Sequence, residues 1–136
     1  MKMLAPLLLA LALAGAGTVQ AAPAPAQPTA AVSAQDAYKL GLMYRHGTGV
    51  ALDAGLAAHW IGVAARGGLA QAMFTLSNML AAGEGVAADA GAARRWLEEA
   101  AALGYPAALQ ELAMREPDPR QAELLMRQAA HALQHP

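Results

Sequence analysis

The 136-residue chain contains no cysteine. No disulfide can brace it, no thiolate can serve as nucleophile or metal ligand, and no lipid can be carried on a cysteine at an export cut. Lysine and arginine number 9 against 10 aspartates and glutamates, and the charges are interspersed. With no basic patch, nucleic acid is not an expected partner, and no charge run suits a membrane surface. Catalytic signatures are missing as well. No nucleophile elbow or His-Glu-x-x-His sequence occurs, and the adjacent Glu98 and Glu99 project to different sides of a helix, so they cannot act as a paired acid and base. His131 and His135 share a helical spacing but have no acidic or thiol ligand at a matching interval, while His46 and His59 stand apart. Gly47-x-Gly49 is too short for a dinucleotide fingerprint and follows a helix, not a strand. No metal, no cofactor and no catalytic residue is therefore expected.

The first residues read as a processing signal. Lys2 is followed by an apolar run, Leu4 to Ala16, and Val19-Gln20-Ala21 has small side chains where a signal peptidase needs them. Residues 1–21 are expected to be a signal peptide cut after Ala21, because a cut after Ala22 would place Pro23 first. The other reading is an uncleaved anchor, but the run is shorter than the roughly 20 residues that a spanning helix needs. Residues 22–33 hold Pro23, Pro25 and Pro28 among alanines, a composition that favours extended backbone and builds no core. The folded domain is expected over 34–134. The expected location is the periplasm, the alternative being secretion, with no membrane insertion after cleavage.

What the chain does possess is a repeat. Gly47, Gly49, Val50, Asp53 and Trp60 return 36 positions later as Gly83, Gly85, Val86, Asp89 and Trp96, and Leu40 returns as Leu76 and Leu112. A period of this length marks stacked supersecondary units. Apolar spacing predicts first helices at about 34–46, 70–82 and 106–115, and second helices at about 54–66, 90–102 and 119–133. Gly47 and Gly83 fall where a helix end needs a left-handed residue, and Gly49 and Gly85 let the chain turn back. Asp53, Asp89 and Asp118 read as N-caps. Trp60 and Trp96, set beside small residues such as Ala57 and Ala93, are expected to pack in the core. The third unit lacks the glycine loop: Leu112 to Leu125 spans 13 residues, against 20 from Leu76 to Trp96. That seven-residue shortening predicts a degenerate unit whose last helix closes the array. The units are placed at 36–71, 72–107 and 108–133.

The pattern Leu40-Gly41-x-x-Tyr44, Gly47-x-Gly49-Val50-x-x-Asp53, Ala57-x-x-Trp60-x-x-x-Ala64-Ala65-x-x-Gly68 closely resembles the Sel1-like repeat, a relative of the tetratricopeptide repeat. The second copy departs at Ser77, for the usual glycine, and at Leu80, for the usual aromatic. The resemblance implies an all-α fold, a short right-handed α-solenoid of stacked antiparallel helix pairs. It also implies a non-enzymatic adaptor or scaffold, of the kind whose exported members serve envelope machinery.

In such arrays a partner's peptide or helix lies on the concave side, lined by first helices. The residues expected there are Gln35, Tyr38, Leu42, Arg45 and His46 in the first unit, Gln71, Phe74 and Asn78 in the second, and Gln110 and Met114 in the third. Aromatics, amides, methionine and arginine suit protein recognition. A second reading stays open for Tyr38 and Phe74, which could pack between units. Two other functions also stay open: a small-ligand or enzyme-like site around Tyr38, Arg45 and His46, and a subunit completed by a larger complex. The first unit shows no polar cap in its sequence, so its outer end is expected to be an apolar surface awaiting cover.

Overall fold

The computed structural model describes residues 31–136. The expected signal peptide, and the expected linker up to residue 30, lie outside these residues. Six helices follow one another: α1 (Ala34–His46), α2 (Ala54–Arg66), α3 (Ala70–Ala82), α4 (Ala90–Ala102), α5 (Pro106–Arg115) and α6 (Pro119–Gln134). Each packs chiefly against its neighbours in sequence, α1 on α2, α3 on α4 and α5 on α6 within units, α2 on α3 and α4 on α5 between them. No strand occurs among the described residues. Five helices end at the residues predicted, and α6 runs one residue further.

The punctuation has a clear physical basis. Gly47 and Gly83 end α1 and α3 in the left-handed region, with φ of 67° and 70°, where a side chain would be strained. Each glycine amide donates back to the preceding turn, to the carbonyls of Met43 and Met79. The two loops then repeat bond for bond: Asp53 N donates to Tyr44 O and Asp89 N to Leu80 O, both at 2.9 Å. Asp53 and Asp89 accept from the Leu56 and Ala92 amides at 2.9 Å, and Asp118 caps α6 through the Arg120 amide. Ser33, which the sequence reading did not single out as a cap, accepts from the Asp36 amide at the start of α1 and donates to its carboxylate.

Within a unit, a small residue on the first helix meets a large one on the second. A side chain at the buried Gly41 would come within 2.5 Å of Ile61 Cγ1. In the second unit the homologous pair is Ser77 and Leu97, both buried, and Leu97 has no branch at Cβ to crowd the extra atoms. The two tryptophans differ from expectation. Both are half-buried, packed on the margin of a core whose centre is Ile61, Met79 and Leu97 with alanines from every unit. They cover the core more than they fill it.

The ends of the array are unlike each other. Ala72 and Ala108, in α3 and α5, are fully buried, whereas their counterpart in α1 is the exposed Asp36. Thr75, buried against α1, has the exposed Lys39 as its counterpart. The outer side of α1 is therefore polar, which corrects the expectation of an apolar end there. The other end is α6. Ile61 and Leu97 are fully buried in α2 and α4, while Met126 in the matching register is 49% exposed, and Leu133 is 61% exposed. A following helix would cover Met126, whereas Leu133 matches the turn residues Gly68 and Gly104 and lines a cleft beside Tyr105 and Pro106. The last helix thus turns Met126 outward beside the exposed pair Glu123 and Arg127, which hold the registers of Ala58 and Gly62.

Candidate partner-binding face

The candidate residues lie along the first helices in repeating register. Positions 35 and 71 are exposed glutamines on α1 and α3. Positions 42, 78 and 114 are Leu42, Asn78 and Met114, the first two half-buried and Met114 76% exposed. Gln110 and His46 are exposed. These side chains follow one another from unit to unit because α1, α3 and α5 are held in parallel register by nearly identical loops and turns.

Three of the candidates have structural partners. The Tyr38 hydroxyl lies 3.1 Å from Thr75 Oγ1, which itself donates to the Gln71 carbonyl at 2.9 Å. A threonine hydroxyl has one proton, so Tyr38 is the donor to Thr75. Phe74 packs on Tyr105 with ring centroids 5.4 Å apart. Tyr38 also stands near enough to Tyr105 to act on it electrically: burial pushes the Tyr105 phenol above its ordinary value, and Tyr38 adds to the effect. Tyr38 thus joins α1 to α3 through Thr75, and Phe74 joins α3 to Tyr105 at the entry of α5. Of the two readings held open for Tyr38 and Phe74, packing between units describes their contacts.

Arg45 is the third. Its Nε and an Nη donate to the two carboxylate oxygens of Glu84 at 2.8 and 2.9 Å, bridging α1 to the loop of the second unit. This paired hydrogen bonding holds the Glu84 carboxyl below the usual range, with partial burial opposing it. The same bonds raise Arg45 further. Arg45 is thus given to Glu84 and Tyr38 to Thr75. His131 and His135 rings lie 4.7 Å apart, and no group of three or more metal-binding side chains occurs among the described residues.

Sequence reasoning missed Tyr105, Thr75 and Glu84. The repeat offered one signal for Tyr105: it stands where the first junction has Leu69, an aromatic replacing an aliphatic at the entry to a first helix. Thr75 and Glu84 break the repeat in the same way, against Lys39 and Thr48.

Taken together, the described residues define a short α-solenoid of helix-pair repeats whose non-repeating side chains gather on the first helices. The Sel1 repeat matches the chain over residues 34–69, 70–105 and 108–132, and the chain belongs to the Sel1 repeat family. The matched units begin two residues earlier than the 36–71 and 72–107 divisions, a difference of phase. Among solved structures, a Sel1 repeat protein from Oxalobacter formigenes is similar at 28% identity and a TM-score of 0.72, over 77% of this chain and 46% of that one. A protective antigen present in uropathogenic Escherichia coli strains, with an SLR fold, is similar at 25% identity and a TM-score of 0.65, over 72% of this chain and 22% of that one. The chain therefore spans less than half the length of either protein. No curated protein matches it. Sel1 repeat proteins generally mediate protein–protein interaction and are generally non-enzymatic scaffolds.

Proposed function

We propose that this chain is an adaptor of the bacterial cell envelope, exported by a signal peptide cleaved after Ala21, that receives a peptide or helix of a partner protein along its first helices. The observation that carries this reading is the row Leu42, Asn78, Met114, flanked by Gln35, Gln71 and Gln110. It occupies one register of the repeat yet differs at every step, and it ends on a largely exposed methionine. Scaffold positions repeat because packing demands it. Positions that share a register and differ in chemistry are free to be selected for contact, and methionine with amides suits an interface core and its surround.

The Tyr38–Thr75 and Phe74–Tyr105 contacts hold successive first helices together. Recognition is accordingly assigned to Leu42, Asn78, Gln110 and Met114 more than to Tyr38 and Phe74.

A photocrosslinking residue placed in turn at positions 42, 78 and 114, and at the exposed His59 and Arg95 on second helices, tests the assignment in a bacterial host. A single discrete adduct from the first set and none from the second is expected. Equal adducts from both faces would remove the assignment. Export is tested separately by the amino-terminal mass of the periplasmic protein: a chain starting at Ala22 is expected, and a cytoplasmic chain retaining residues 1–21 would contradict it.

A further inference from the structure

The two junctions between units are built to the same plan and finished differently. At the first junction the loop after α3 folds back onto the preceding unit. Gly85 lies so close to the start of α2 that a Cβ there would overlap the Ala54 carbonyl oxygen. Val86 follows, half-buried and packed on the core, and walls a cleft with Ala58, Gly62, Leu76, Leu80 and Trp96. Shifted by one repeat, the same places at the second junction are Arg94, Glu98, Leu112 and Glu116, with Leu125 in the register of Trp96. All five line a cavity of about 450 Å³ that also reaches Ala90, the counterpart of Ala54. No counterpart of Gly85 or Val86 exists there, because three residues, 116–118, connect α5 to α6 where seven, 83–89, connect α3 to α4, and α5 is itself three residues shorter than α3. Glu116 and Pro117 of the short connection line the cleft.

We infer that this cleft at the second junction is a binding site for an extended peptide segment of another protein, one that supplies in trans what the first junction has in cis: a glycine or alanine followed by a branched aliphatic residue. The first junction shows what that chemistry does in this setting. The small residue lets the backbone approach the helix start at Ala90, and the aliphatic side chain covers the apolar wall formed by Leu112 and Leu125. The volume lies within the roughly 300–1,000 Å³ of ordinary ligand clefts. The rim carries Arg94, Arg115, Glu98 and Glu116, two charges of each sign, so it favours no net charge and leaves selection to shape and apolar contact. Arg94 pairs with Glu98 largely in solvent, and Arg115 pairs with the mostly covered Glu111, each along its own helix. Such pairs contribute little and rearrange at small cost. None of the first-helix residues proposed for partner contact lines the cavity. The site is thus separate from the row through Leu42 and Met114, and either can fail without the other.

The test titrates the full-length, ¹⁵N-labelled chain with acetyl-Gly-Thr-Gly-Val-Ala-Leu-amide, the uncharged sequence of residues 47–52. Shifts centred on the amides of Ala90, Arg94, Leu112 and Leu125 are expected at millimolar peptide, and the same peptide with aspartate in place of valine should lose them. Two variants follow. One restores a seven-residue Gly-x-Gly-Val loop between Arg115 and Pro119, so that the chain fills its own cleft. The other is Ala90→Trp, at an exposed position where helix formation is not at risk. Each should weaken peptide binding at least about tenfold, or about 1.4 kcal/mol, with circular dichroism unchanged. No shifts at millimolar peptide, shifts centred instead on Gln110 and Met114, or undiminished binding to Ala90→Trp would overturn the inference.

Discussion

Two glycines with nearly the same backbone angles do different work. Gly49 and Gly85 both adopt positive φ, 73° and 70°, so alanine at either is strained by about 1–2 kcal/mol. Around Gly49 the nearest other atom is Met43 Cε, 3.5 Å from where a Cβ would stand, whereas a Cβ on Gly85 would overlap backbone of α2. Gly49→Ala is therefore expected to cost only the conformational strain. Gly85→Ala should cost about 2–5 kcal/mol in all, since overpacking adds about 1–3 kcal/mol to the strain, and urea denaturation of the two variants checks the ordering. The Arg45–Glu84 pair gives a second residue-scale expectation. The Glu84 carboxyl is held below its usual range in the folded chain, so the pair's contribution is present above about pH 4.3 and is lost as pH falls through the lowered value. Both side chains are about a third exposed, which limits that contribution to roughly 0.5 kcal/mol. Glu84→Gln should lower the melting temperature slightly at pH 7, and the two melting temperatures should converge as the pH falls through the lowered value.

At the scale of helices, the repeat register predicts a gradient. Ile61, Leu97 and Met126 occupy one position in α2, α4 and α6, buried in the first two and half-exposed in the third. Leu97→Ala should cost about 2–5 kcal/mol, as core truncations do. Met126→Ala should cost below about 1 kcal/mol; an equal loss at both would mean that α6 is covered in solution. Helix ends were readable because their causes are local: a glycine forced into the left-handed region, an aspartate three residues before the amide that it caps. What joins one unit to the next was not readable in the same way. Tyr38 with Thr75, Phe74 with Tyr105 and Arg45 with Glu84 bring together residues that break the repeat, and periodicity identifies what recurs, not what touches across a junction. The first-helix row was legible as a register. That two of its aromatics and its arginine have structural partners depended on side-chain geometry that spacing does not encode. The uneven ends were hidden for a related reason: Asp36 and Lys39 look like ordinary surface residues until Ala72 and Thr75 show that their register is an inter-unit contact.

For the molecule as a whole, stability in such arrays is close to a sum over units and the interfaces between them. α6 has one neighbouring unit face and a single buried residue, Ala129. Local opening should therefore begin there. Amide exchange is expected to be fastest in α6, slower in α5 and slowest where α2 and α3 meet, and uniform protection across all six helices would show instead that the array opens as one unit. The polarity of the array has a consequence for its growth. A copied helix pair joined after α6 would find Met126 ready to be covered beside a charge pair that is already matched, Glu123 with Arg127, whereas one joined before α1 would have to bury the carboxylate of Asp36 and the ammonium group of Lys39. Lengthening by duplication, whether in evolution or at the bench, meets less resistance after α6 than before α1.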